Sequence, residues 1–484
     1  MTSEQLPQRN RRIYCNRTLN LRGLSAIGFD MDYTLVTYHT AWWEGTAFNY
    51  VKERLKARGW PVADVKYRPE LCTIGLIIDT RLGNVIKADQ FGHVRLASHG
   101  TRMLLPEEVR NTYGHIPIDL ADKRYRAVDT LFSLSETSWF VQLVDRLDAK
   151  LLPGPQSYSE LYRLIRDTLD ATHMEGQLKR EIVTYPERFV DIDEELPQTL
   201  LDLKNAGKKL LLITNSEWSY TNSMMSYVFD SRLPDGQGWR SLFDLVFVQA
   251  RKPSFFAEVA PALKLVDERG LFEPIVGRVE TGNVYIGGNA RLVEESLGIR
   301  GENILYFGDH IFADVYASKD LLRWRTALIV RELEEELEAL DAFRTEQELL
   351  TRLMRDKELL EHRYSQRRLL LQRQSHGQPS QGAASVDAVK LELKGLRAQL
   401  VALDERIAPL ARRASQLQNE RWGLLMRAGN DKSHLARQVA RYADVYTSRV
   451  SNLLAYTPYV YLRAARGVVP HDAQDTQEFL EAAT

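Results

Sequence analysis

Cysteine is almost missing from this chain of 484 residues: Cys15 and Cys72 are the only two. Two isolated thiols offer neither a metal-binding spacing nor a disulfide framework, which fits a reducing compartment. No uninterrupted apolar run of about 18 residues occurs, so no membrane span is expected. The amino-terminal MTSEQLPQRNRR is polar and lacks the apolar stretch of a secretory signal. Net charge is lacking too, with 64 Lys and Arg against 65 Asp and Glu. That balance argues against a nucleic-acid surface and against a polybasic membrane contact. No internal repeat is evident. The expectation is a soluble cytoplasmic protein in which any phosphate-binding groups are local.

What is present is apolar material for real cores, 44% of the residues, in a chain longer than one core usually organises. One stretch stands out, AIGFDMDYTL at residues 26–35. A short apolar run, read as a buried strand, ends abruptly in Asp30 and Asp32, with Thr34 next. Side chains at i and i+2 of a strand share a face, so the two carboxylates start out on one side. Carboxylates that close repel, and burying them requires a neutralising cation. Alone, such a pair is more often a solvated loop than a metal site.

Three further apolar runs end in polar groups. LLITNS ends in Thr214, Asn215 and Ser216; FVQARKP in Arg251 and Lys252; YFGDHIFAD in Asp309, His310 and Asp314. Helical stretches separate several of these runs, the alternation of a parallel sheet with helices on its faces. In an open α/β sheet, ligands bind outside the carboxyl ends of the strands. Residues 73–89 read as a β-hairpin turning at Leu82, Gly83 and Asn84, and residues 131–147 and 158–174 as helices. Singly, each polar ending has a plain reading as a turn, a strand exit or a helix cap. Jointly they describe a magnesium-and-phosphate site. Asp30 and Asp309 are the natural Mg²⁺ ligands, with Asp314 bound through water or steadying the others. Asp30 is also the candidate nucleophile and Asp32 the acid/base. Thr214 and Asn215 would bind the phosphoryl group, and Lys252 would neutralise charge.

These four motifs, GFDMDYTL, LLITNS, QARKP and YFGDHIFAD, resemble those of the haloacid dehalogenase-like phosphohydrolases. The chain is most similar there to the purine-preferring cytosolic 5′-nucleotidases of type II. The similarity runs from about Ile27 through RYADVY to Pro470 and His471. It implies an α/β fold: a Rossmann-like parallel-sheet core, an inserted α+β cap and a helical coiled-coil hairpin. The expected division is core 1–45, cap 46–190, core 191–331, hairpin 332–420, and a segment 421–484 packing back on the core. It further implies Mg²⁺-dependent hydrolysis of IMP and GMP through an aspartyl-phosphate, with phosphotransfer to a second nucleoside as a side activity. Asp30, Asp309 and the backbone carbonyl of Asp32 would hold the metal.

Arg166, Asp170 and His173 share one helix face at i, i+4 and i+7, with Lys179 nearby. They resemble the family's base-reading residues. A 6-oxopurine presents an acceptor at O6 and a donor at N1, which arginine and aspartate match and adenine reverses. The plain alternative is a solvated i,i+4 ion pair. Two positions depart from the family: Thr101 is aligned with an aromatic that stacks on the base, and Met174 with a tyrosine. Phe312 matches an effector-site aromatic.

From Val389 to Leu417, leucines step by fours and threes through Leu393, Leu396, Leu400, Leu403, Ile407 and Leu410, a heptad seam that Pro409 should kink or interrupt. A looser helix through Leu333, Leu337, Leu340, Leu350, Met354 and Leu360 precedes it, joined by a turn at residues 377–385. The hairpin either mediates a homo-oligomer, a dimer or tetramer, or packs only on itself. Two alternatives to the nucleotidase reading stand beside it: a phosphatase of another phosphomonoester, and a non-catalytic scaffold that uses the hairpin.

Overall fold

The computed structural model describes residues 7–114, 117–174, 176–234, 236–267, 269–275, 277–378 and 385–465. The side chains of His173 and Met174, residues 379–384 of the expected turn, Pro470 and His471 lie outside the described residues.

The chain opens with β1 (Tyr14–Cys15), β2 (Ala26–Phe29) and helix α1 (Thr40–Ala57). α1 buries Trp43, Ala47, Phe48, Val51 and Leu55, one stripe at helical spacing. A separate antiparallel sheet follows, made of β3 (Leu76–Asp79), β4 (Asn84–Ala88), β5 (Val94–His99), β6 (Arg102–Met103) and β7 (Tyr125–Val128) in the order β6-β5-β4-β3-β7. The expected hairpin is β3–β4, and Gly83 in its turn takes φ +69°, a conformation glycine adopts without cost. Helices α2 (Leu134–Asp148), α3 (Tyr158–Met174) and α4 (Gln177–Thr184) come next. Leu161, Ile165 and Leu169 of α3 are buried at four-residue steps, as its sequence predicts.

The remaining strands build the core: β8 (Lys209–Ile213), β9 (Leu245–Val248), β10 (Ala262–Leu265), β11 (Phe272–Pro274), β12 (Asn283–Gly287), β13 (Ile304–Gly308), β14 (Arg325–Ile329) and β15 (Val445–Thr447). With β1 and β2 they form one mixed ten-stranded sheet, ordered β1-β15-β14-β13-β2-β8-β9-β12-β10-β11. The run from β15 to β12 is parallel throughout, while β1, β10 and β11 pair antiparallel at its edges. β2 is central, with Phe29 paired to Phe307 of β13 on one side and Leu212 of β8 on the other. Every residue of β2, β9 and β13 is buried, so these strands read as continuous apolar runs without alternation. Gly28 is required by close approach: a Cβ there would lie 2.8 Å from the Tyr306 ring.

Helices α5 (Leu333–Ala342), α6 (Arg344–Ser375) and α7 (Val386–Ser415) fill the interval before β15. α6 and α7 pack antiparallel, since the ion pairs Glu346–Arg413, Lys357–Asp404 and Arg367–Glu392 descend one helix as they ascend the other. Leu353 packs with Leu403 and Ile407 in the seam, beside the expected Leu350 and Leu360, whereas Met354 is exposed, so one expected position moves by a residue. α7 continues through Pro409 without a break. Pro409 and Glu405 are exposed, so water can solvate the carbonyl that proline leaves unpaired. Cys15 and Cys72 are both free, and no described helix is long and apolar enough to cross a membrane.

One buried acid joins α1 to α2. Glu44 is fully buried, and its Oε2 accepts the Ser135 N–H at 2.7 Å, in the first turn of α2. Burial pushes its carboxyl up to about 8, against the hydrogen bonds from Ser135. The fold therefore holds the neutral acid. Its stabilisation is complete below the ordinary value of 4.5 and is lost as pH rises toward about 8. Between these limits the wild-type protein should lose up to about 1.4 kcal/mol per pH unit relative to Glu44→Gln in urea unfolding. Parallel pH profiles for the two proteins would show that Glu44 is ionised in the fold.

Candidate active site

The parallel strands deliver their carboxyl ends to one rim. Asp30 follows β2 directly, and its N–H still pairs with the Phe307 carbonyl at 2.8 Å, so the strand geometry extends to the site itself. Asp30 Oδ1 accepts the Met31 N–H at 2.7 Å, and Oδ2 lies 2.8 Å from Lys252 Nζ. Lys252 is also 2.7 Å from Asp314 Oδ1 and donates to the Tyr306 hydroxyl at 3.0 Å. Tyr306 in turn donates to the Ile213 carbonyl at 2.8 Å. The buried ammonium thus makes two ion pairs and one hydrogen bond.

The loop carrying Lys252 is held in an uncommon shape, with Gln249 and Arg251 at φ 47° and 60°. Asn215 locks it. Its Oδ1 accepts the Lys252 N–H at 2.6 Å, and its Nδ2 donates to the Lys252 carbonyl at 3.1 Å. The Asn215 amide, expected to bind phosphate, holds the backbone of the lysine loop through one Nδ2–H and Oδ1. Thr214 is fully buried, and its Oγ accepts the Ser216 N–H at 3.1 Å, which leaves the hydroxyl proton to donate.

Asp32 is held by two hydroxyl groups. Tyr38 donates to its Oδ1 at 2.6 Å and Ser216 to its Oδ2 at 2.7 Å. The Tyr220 hydroxyl is 2.9 Å from that of Tyr38. Lys179 donates to Ser216 Oγ at 3.5 Å and rests 4.7 Å over the Tyr220 ring, so it joins the surroundings of Asp32. Tyr38 and Tyr220 escaped the sequence reading, and Ser216 was given no role in it. Ser216 was visible in LLITNS, but nothing in the spacing of the two tyrosines signals that they meet.

The fourth strand end brings Asp309 and Asp314. Oxygens of Asp30, Asp309 and Asp314 all lie within 4.8 Å of one another. Burial raises the Asp309 carboxyl well above the usual carboxylate range, and Asp314 and Asp30 raise it further. Burial likewise pushes Asp30 up to about 7, with Lys252 opposing. Burial works against the charge of Lys252, yet Asp30 and Asp314 hold its proton affinity well above that of an ordinary lysine. One ammonium does not neutralise this many carboxylates. An oxygen-only set of this kind suits a hard divalent cation such as Mg²⁺. Asp314 is tied at both oxygens, its Oδ2 accepting the His310 N–H at 3.2 Å, which suits a steadying role. Residues Ile311–Tyr316 form a π-turn capped by His310 Nδ1, which accepts from the Phe312 and Ala313 N–H groups. Phe312 faces Tyr316 at 6.3 Å.

Above the rim, Arg166 Nη1 is 3.1 Å from Glu136 Oε2 and its Nε is 3.4 Å from Asp170 Oδ2. His310 Nδ1 lies 3.9 Å from Asp129 Oδ2, and burial raises the Asp129 carboxyl, which Arg166 helps to lower. Arg166 therefore lies toward the fourth strand end and Lys179 toward the second. Thr101 does not join this set. Its hydroxyl donates to Asp145 Oδ2 at 2.6 Å, and its carbonyl accepts from Arg421. Asp145 is about 13 Å beyond Glu136 along α2, from the helical rise alone. Phe132 packs 4.8 Å from Tyr33, the residue after Asp32, and 5.2 Å from Trp43. Asp129, Phe132 and Glu136 all come from one short segment, DTLFSLSE.

A sequence profile described as the 5' nucleotidase family matches residues 13–474. The chain belongs to the 5' nucleotidase family. Similar curated proteins include 5'-nucleotidase domain-containing protein 2 of Homo sapiens, 29% identical over 484 residues, covering 95% of this chain and 85% of the relative. A 5'-nucleotidase domain-containing protein of Dictyostelium discoideum is 25% identical over 474 residues, covering 95% and 74%. Membership makes the protein a phosphoric monoester hydrolase, in a family that supports hydrolysis of nucleotide monophosphates.

For this 5' nucleotidase family member, Gly308 supplies a sharp test of the site. A Cβ at Gly308 would lie 2.5 Å from the Asp314 side chain. Gly308→Ala should push Asp314 off Lys252 and lower phosphate release at least about tenfold, with a stability loss of about 1–3 kcal/mol by urea unfolding. Unchanged turnover would show that the Asp314 position is not required.

Proposed function

We propose that the protein is a magnesium-dependent 5'-nucleotidase that hydrolyses 6-oxopurine nucleoside monophosphates, IMP and GMP, through an aspartyl-phosphate on Asp30. The observation that carries the reading is the convergence of Asp30, Asp309 and Asp314 around Lys252 at the ends of adjacent parallel strands. The position of β2 between β13 and β8 supports a haloacid dehalogenase-like core. A cytoplasmic location fits the two free thiols.

Asp30, Asp309 and the Asp32 carbonyl would hold the Mg²⁺, with Asp314 steadying them. When bound, the ion neutralises charge on the carboxylates and on the phosphoryl oxygens. An Asp30 carboxylate oxygen attacks phosphorus and the bond to O5′ breaks, while Asp32 gives a proton to the leaving oxygen. Water then attacks the aspartyl-phosphate, Asp32 takes its proton, and phosphate leaves with Asp30 regenerated. Tyr38 and Ser216 keep Asp32 aimed through both steps. Thr214 donates to a phosphoryl oxygen. Arg166 and Asp170 match O6 and N1–H of the base, and a stacking role falls to Phe132 in place of Thr101.

The deciding measurement is phosphate release from IMP, GMP and AMP with and without Mg²⁺. Release should need the metal, favour IMP and GMP, and fall more than about a thousandfold in Asp30→Asn. Equal release from all three nucleotides would keep the chemistry and discard the base reading. Full activity in Asp30→Asn would overturn the mechanism.

A further inference from the structure

Arg166 has two acidic partners, and they are unequal. Asp170 is exposed, one helical turn away on the same helix, and meets Nε at 3.4 Å. Glu136 comes from a different helix, is almost wholly buried, and meets Nη1 at 3.1 Å. Arg166 itself is half exposed. An exposed pair at i,i+4 holds a long side chain weakly, whereas a buried carboxylate on a second element fixes it in space.

The anchor is itself anchored. Glu136 stands in the first turn of α2, where the neighbouring Ser135 N–H is held by the fully buried Glu44. Burial works to raise the Glu136 carboxyl, and Arg166 and then Tyr162 oppose it. A guanidinium carries five N–H donors. Glu136 takes one on Nη1 and Asp170 takes the one on Nε, which leaves three on the Nη nitrogens for a ligand.

We propose that Glu136 is a positioning residue for substrate specificity: it pins Arg166 through Nη1 so that the remaining Nη donors face the O6 acceptor of a 6-oxopurine. Asp170, the looser partner, is then free to leave Nε and accept the N1–H of the base. The inference rests on the base-reading roles of Arg166 and Asp170 proposed above. Glu136 makes no contact with substrate, so chemistry at phosphorus does not depend on it.

The test separates binding of the base from chemistry. Steady-state kinetics of Glu136→Gln, Glu136→Asp and Arg166→Lys would be measured on IMP, AMP and p-nitrophenyl phosphate, which has no base. Glu136→Gln should raise KM for IMP about tenfold and narrow the IMP-to-AMP preference. Its kcat/KM on p-nitrophenyl phosphate should stay within about twofold of wild type. Glu136→Asp, which keeps the charge and shortens its reach, should fall between, and it carries the test if the glutamine variant does not fold. Adding Glu136→Gln to Arg166→Lys should cost little more, because both changes break one unit. Equal losses on IMP and p-nitrophenyl phosphate would make Glu136 merely structural and overturn the proposal. So would an unchanged KM for IMP in Glu136→Gln while Arg166→Lys loses the IMP preference, and that result would leave the base reading standing. No IMP preference in wild type, or none lost in Arg166→Lys, would overturn both.

Discussion

The structure depends most on the position of one buried ammonium. Lys252 bridges Asp30 and Asp314 at 2.8 and 2.7 Å, and each of these groups would be costly to bury alone. Removing one member of such a set leaves an uncompensated buried charge, typically a loss of about 3–5 kcal/mol. The surroundings are built to keep Lys252 in place. Asn215 clamps its backbone from both sides, Tyr306 accepts a hydrogen bond from its ammonium, and Gly28 leaves room for the Tyr306 ring. Four strand ends are thus coupled through one side chain: β2 gives Asp30, β8 gives Asn215, the loop after β9 gives Lys252, and β13 is followed by Asp309 and Asp314.

Parallel strands make this arrangement economical in sequence. Adjacent strands running the same way end at the same level, so the residue after each apolar run reaches the rim whatever the distance between runs in the chain. That is why the clustering of Asp30, Lys252, Asp309 and Asp314 was legible from AIGFDMD, LLITNS, QARKP and YFGDHIFAD, and why the alternation of apolar runs and helices pointed to a parallel sheet. Local periodicity made α3 readable from Tyr158 to Met174, since Leu161, Ile165 and Leu169 mark its buried face directly.

What was not legible shares a different cause. Tyr38, Tyr220, Glu44 and Glu136 act across elements, and their pairings depend on how helices settle against one another, which local periodicity does not encode. Asn215 was read as a phosphate ligand because it follows Thr214, yet a side-chain amide can serve a neighbouring loop as readily as a ligand. Thr101 was aligned by sequence with a stacking aromatic, but the turn after β5 closes on the far end of α2, where Asp145 meets it. The seam of α6 shifted from Met354 to Leu353 because antiparallel partners set the register, and one helix read alone does not know its partner.

Charge at the rim explains how the two halves of the site depend on each other. The lower half holds Asp30, Asp32, Asp309 and Asp314 against Lys252, and the upper half holds Glu136 and Asp170 against Arg166. A phosphate dianion entering such a field is repelled unless a further cation sits among the lower carboxylates. Protonation of Asp30 and Asp309 would relieve the repulsion, and burial pushes both that way, but a protonated Asp30 is a poor nucleophile. On the proposed reading, Asp30 and Asp309 would hold a divalent ion, whose charge would offset this repulsion and favour the ionised form of Asp30. The acidic excess is therefore the arrangement that the proposed metal-dependent mechanism calls for, with Lys252 alone supplying enough charge to assemble the cluster.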